Sequence, residues 1–208
     1  MHHIRLQAVA ALFAVLLLAA CSEQPKTTQA STNASADSTA VSAPVSGKAA
    51  FWEMYKTAHT WAADLAPLSL ESKDVPGVKN EDGKAAMWTA TFGSPSKRQA
   101  LTIHYAVAAH GPDIPKGIVV GHAMPWGGPS SEALPFTSSD FATDSDAAYK
   151  TALSQAEPWL KKHPGKEATM ALGNASRFPA PVWYVLWGDK KMGYAVYVNA
   201  KTGAVVKK

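Results

Sequence analysis

PVWYVLWGDKKMGYAVYVNAKTGAVVKK, residues 181–208, alternates large apolar residues with smaller or polar ones on both sides of Gly188-Asp189-Lys190-Lys191. Period-two alternation broken by a Gly-led turn reads as two half-buried strands of a hairpin. A final short strand follows the turn at Thr202-Gly203. Upstream, DAAYKTALSQAEPWLKKHP places Tyr149, Ala152 or Leu153, Ala156 and Leu160 at helical spacing, with Asp144 or Ser145 available as the cap. Pro158 lies inside that pattern and predicts a kink or a restart.

The first half of the chain repeats the order. AAFWEMYKTAHTWAADLAP sets Phe51, Tyr55, Ala58, Ala62 and Leu65 at helical spacing, and Pro67 closes the run. After a loop over Val75–Lys84, AAMWTATFGSPSKRQALTIHYAVAA alternates Leu101, Ile103, Tyr105 and Val107 against Thr102 and His104. That gives two strands around Gly93-Ser94-Pro95-Ser96, with GIVVG as a third. YKTA occurs at Tyr55–Ala58 and at Tyr149–Ala152, WTATFG at 88–93 matches WYVLWG at 183–188, and PKGIVV at 115–120 matches KTGAVV at 201–206. Three matches in one order predict an internal repeat. The expected fold is α+β: two tandem units, 49–123 and 144–208, each a helix on a small antiparallel sheet. The acidic Pro/Ser-rich segment 124–143 joins them.

The second unit resembles the PepSY family. The residues that carry the resemblance are Pro181-Val182-Trp183-Tyr184-Val185 and the hairpin Ala195-Val196-Tyr197-Val198-Asn199-Ala200-Lys201-Thr202-Gly203-Ala204-Val205-Val206. Asn199 stands where the family's usual residue is Asp. The likeness covers 144–208 well, and 49–123 shares only the layout, with Trp88 as its marker. It implies a non-catalytic envelope module that inhibits peptidases or binds ligands near the cell surface. No catalytic residue carries over. Trp183, Tyr197, Val198 and Gly203 are signature positions for packing and turn geometry.

The N-terminal segment MHHIRLQAVAALFAVLLLAAC has a short start carrying Arg5 and an apolar run from Ala8 to Ala20. That run is too short for a membrane span of roughly 20 residues and reads as a signal peptide. Leu18-Ala19-Ala20-Cys21 resembles a bacterial lipobox, so lipidation at Cys21 is expected, with residues 1–20 removed. The other reading is an ordinary signal peptide cut near Ala20 that leaves a free thiol. Cys21 is the only Cys. Once it is acylated the mature chain holds no thiol for a disulfide, a zinc ligand or a nucleophile. Ser22 to Lys48 is Ser/Thr/Ala/Pro-rich and cannot bury enough surface to fold, which makes residues 21–48 a tether. Its 27 residues after Cys21 reach roughly 30 Å as a flexible coil. The expected location is the cell envelope, facing the periplasm from the outer membrane if the cell has two membranes, because Ser22 rather than Asp follows the Cys.

Net charge is +4, and from Tyr149 onward ten Lys/Arg face three acids, giving +7. A basic half suits an acidic envelope protein or anionic lipid, while export argues against nucleic acid. Lys190 and Lys191 at the hairpin tip, together with Trp187, are the candidate binding residues, and Trp126 and Trp187 are the indoles expected at the surface. The second reading is a small-ligand or copper binder through His122, Met124 and Trp126, since imidazole and thioether suit copper(I). A hydrolase has its raw materials in Ser130-Ser131, a His and Asp140, but no strand–turn–helix motif holds them. The expectation is therefore a binding protein without a cofactor, with the membrane and an envelope protein or peptidase as partners.

Overall fold

The computed structural model describes residues 43–207. The signal peptide, Cys21 and the tether as far as residue 42 lie outside the described residues. β1 (Val45–Ser46) leads into α1 (Gly47–Trp61), followed by β2 (Ala66–Lys73), β3 (Lys84–Ala85), β4 (Met87–Ser94), β5 (Gln99–Ala106) and β6 (Gly117–Pro125). One 3-10 turn at Ser138–Asp140 precedes α2 (Ser145–Leu160), β7 (Ala168–Gly173), β8 (Val182–Trp187), β9 (Tyr194–Asn199) and β10 (Val205–Val206). Eight strands form one antiparallel sheet in the order β10-β9-β8-β7-β2-β4-β5-β6, and β1 pairs with β3 alone. The fold is α+β, with each half supplying one helix and four strands of the large sheet.

Neither β2 nor β7 has a clear strand signal in the sequence, yet these two strands join the halves. Leu70 pairs with Leu172 and Glu71 with Ala171, so the two small sheets fuse into one. The Ser72 hydroxyl strengthens the seam by accepting the Met170 N–H at 2.8 Å.

Helix α1 buries Gly47, Ala50, Phe51, Met54 and Ala58, a single stripe at helical spacing. In α2 the buried set is Ser145, Ala148, Ala152 and Ala156. The two sets superpose with Gly47 on Ser145, residues 98 apart in sequence and joined by a hydrogen bond from the Gly47 N–H to Ser145 Oγ. The burial spacing therefore recurs in the two helices, but the YKTA copies are one helical turn out of register with it. Tyr149 takes the place of Phe51, and Leu153 that of Tyr55.

The indole repeat is in register. Trp88 Nε1 donates to Val45 O and Trp183 Nε1 to Thr143 O, both at 2.9 Å, and each acceptor directly precedes a helix cap. Both rings are fully buried and meet edge to face at 6.2 Å across the junction. A Cβ at position 47 would come within 2.8 Å of the Trp183 ring and 3.2 Å of Trp88, so only glycine lets α1 start this close.

Four boundaries differ from the sequence reading. The folded region begins at β1 and α1 inside the segment read as tether, because Ser46 caps α1 and Val45 receives the Trp88 indole. Helix α1 stops at Trp61, with Ala62 extended, well before Pro67, which sits in β2. Asp64 explains the early stop. It accepts the Ser94 hydroxyl and the Ser96 N–H, both at 2.7 Å, and these donors hold its carboxyl at about 2. Strand β6 extends to Pro125, taking the first residues of the segment read as linker. Helix α2 runs unbroken through Pro158, which lies in its last turn, so that only two helical residues follow the missing N–H.

Candidate functional site

Both helices cover the same face of the sheet. Along β2, β4, β7, β8 and β9 every second residue joins the core beneath them: Leu70, Ala90, Leu172, Val185 and Val198 among others. The alternate residues Ser69, Glu71, Thr91, Ala171, Tyr184 and Tyr197 point the opposite way and line a groove of about 670 Å³. That volume falls in the usual range of small-molecule sites, about 300–1,000 Å³.

Two loops wall the groove. The segment after β6 brings Trp126, Gly128, Ser130, Glu132 and Ala133, and the segment after β7 brings Asn174, Ala175, Arg177 and Phe178. They are stitched together. Leu134 N–H donates to Asn174 O, Ser176 N–H to Ser131 O, and Asn174 Nδ2 to Pro135 O at 2.8 Å. Arg177 pairs with Glu132 above them. Phe136 and Phe141 bury in the core and anchor the far end of the first loop. The acidic Pro/Ser-rich segment thus walls the groove as well as linking the halves.

Aromatic rings stand at both ends. Tyr197 contacts Phe178 at 4.9 Å and Tyr184 at 5.2 Å between ring centres. Burial, with Tyr197 alongside, raises the pKa of the Tyr184 hydroxyl, which stays neutral and able to donate. Opposite, Trp126 is half-buried, and its ring lies where a Cβ of Gly93 would come within 2.8 Å. Gly93 closes the WTATFG strand, and its missing side chain makes the seat for that indole.

The sequence candidates separate. Lys190 lines the groove. Asp189 fixes the hairpin tip by accepting the N–H groups of Met192 and Lys191, which also lower its pKa. Lys191 is exposed at the same tip. Trp187 is not at the surface: it is 1% exposed and packs on Tyr149 at 5.8 Å. It shares the parity of Trp183 along β8, which points it under α2. His122 and Met124 are exposed on edge strand β6, with Met124 opposite Ala100 and His122 beside the bulge that shifts the β5–β6 register. Among the described residues no three His, Cys, Asp or Glu side chains gather as a metal-ligand set. A copper site would have to be built from His122 and Met124 on one strand.

His104 lies on the groove face of β5, its Nδ1 at 2.8 Å from Thr89 Oγ1. Burial, helped by Lys73, lowers its pKa below the ordinary 6.5. The unfolded chain therefore takes up this proton first as pH falls, and stability declines from about pH 6.5 downward until the folded-state pKa is passed. His104→Gln is expected to flatten that part of the profile, measured by urea unfolding between about pH 7 and pH 5. A slope unchanged by the substitution would assign it to other groups.

No family model matches the chain, and no curated protein does. Among solved structures, a protein from Clostridium difficile 630 provisionally assigned as a lipoprotein is similar over 80% of this chain and 91% of its own, with a TM-score of 0.47 and 12% identity. The PepSY resemblance rests on the residues of the C-terminal unit alone. No helix among the described residues is long and apolar enough to cross a membrane.

Proposed function

We propose that this protein is a non-catalytic binding module of the cell envelope, lipid-anchored at Cys21, with its ligand site in the groove on the open face of the sheet. The groove itself carries the reading. Its floor is built from small residues of the central strands, its ends are aromatic, and two stitched loops hold its walls. An apolar-lined cleft with a few convergent polar groups is the usual form of a small-ligand site. The PepSY-like hairpin and the lipobox-like segment support the same class and a location at a membrane surface.

Filling the floor tests this. Ala171→Trp places an indole in the groove while leaving the helix-covered face untouched. Wild type and variant, purified in detergent, are exposed to one envelope extract, and retained molecules are compared by mass spectrometry. The expected result is a species held by wild type and lost from the folded variant. Equal retention by both chains would place binding elsewhere.

A further inference from the structure

Building on the groove as the ligand site, we propose that its ligand is an uncharged, extended oligosaccharide. The floor excludes the commonest way of holding a peptide. Strands β4, β2, β7 and β8 lie in the middle of the sheet, each with a partner strand on both sides, so none of them offers a free edge. Strand addition needs an exposed edge. The floor therefore recognises a ligand through side chains, not through strand addition.

Those side chains suit sugar rings. Trp126 at one end and Tyr184 with Tyr197 at the other offer flat apolar faces with polar tips. Between them Ser69 and Thr91 supply hydroxyls, and Asn174 an amide, for a ligand rich in hydroxyl groups. Charge argues for a neutral ligand. The lining acids Glu71 and Glu132 balance the bases Arg177 and Lys190, and both acids are already paired, with Lys73 and Arg177 respectively. A cationic ligand would have to break one of these pairs, and an anionic one would find a single lining base outside them, Lys190 at the hairpin tip, with no second base beside it to form a clamp. Length follows from topology. Trp126 sits over Gly93 of β4 and Tyr184 rises from β8, three strand spacings away, which is roughly 14 Å. One sugar ring is too short to touch both ends.

The test uses the full chain in a detergent without a sugar headgroup, titrated calorimetrically with chitotetraose, cellotetraose, N-acetylglucosamine and tetra-alanine. Binding of at least one tetrasaccharide is expected, with the monosaccharide far weaker. Trp126→Ala should weaken that binding about tenfold. Should that variant misfold, Tyr184→Ala should give a similar loss from the other end. If tetra-alanine binds and both tetrasaccharides do not, with Ala171→Trp abolishing the peptide signal, the sugar assignment is wrong and the groove stands. If a tetrasaccharide binds Ala171→Trp as well as wild type, the groove reading itself fails. No heat from either tetrasaccharide at millimolar concentration overturns the sugar proposal.

Discussion

Trp183→Ala is expected to lower the free energy of unfolding by about 3–5 kcal/mol, the usual cost of truncating a fully buried aromatic. The ring is 0% exposed and packs edge-on against Trp88 and against Phe141, the latter at 5.6 Å. Its loss opens a cavity at the seam between the halves, where neither helix can move inward without unseating its own cap. The substitution also strips Thr143 O of its indole donor just before α2 begins. Trp88→Ala should cost a similar amount, since its ring is equally buried and holds Val45 O in the same way. Because the two rings touch, the double variant should depart from additivity by about 0.5–1.5 kcal/mol. Urea unfolding of the three variants measures all of this. An Ala variant as stable as wild type at either position would mean that the indole is not part of the shared core.

Much of this junction was legible from residue types. WTATFG and WYVLWG each place a Trp at the start of a strand and a Gly at its close, and the structure puts both pairs in equivalent places. Strand parity also contained the answer for Trp187, which shares a face with Trp183 and so belongs under the helix. Other features gave no local signal. Strands β2 and β7 are rich in Ser, Ala, Thr and Gly and β2 contains Pro67, so neither resembles a strand until paired with the other. The start of α1 was hidden because Ser46-Gly47 follows directly on a Ser/Thr/Ala/Pro-rich tether, and its cap partners lie 98 residues away. YKTA misled for the opposite reason. Ala-rich helices share local composition, and identical letters one turn apart are compatible with a true repeat in another register. The groove was least legible of all, since its walls and floor come from separate strands and two loops, and each contributes only one or a few residues.

Asp144→Ala is expected to cost about 2–3 kcal/mol, more than a single helix cap, because this carboxylate serves both helices. The N-termini of α1 and α2 meet across the repeat, and each carries about half an elementary positive charge from its aligned peptide dipoles. Left alone, the two ends would repel, and their first N–H groups would lack partners. Asp144 Oδ1 accepts from Ser145 N–H of its own helix at 2.6 Å and from Lys48 N–H of the other at 2.8 Å. Oδ2 takes the Ser46 hydroxyl at 2.6 Å, fixing the residue that caps α1. Asp144→Asn preserves an acceptor but loses the charge between the dipoles, so it should fall between wild type and Ala. Ser46→Ala removes only the contact to Oδ2 and the cap of α1, and should cost about 1 kcal/mol. That ranking, read by urea unfolding, separates a shared electrostatic clamp from an ordinary cap. If Asp144→Ala and Ser46→Ala cost the same, the carboxylate serves one helix only, and the halves are held together by the tryptophan pair and the β2–β7 seam.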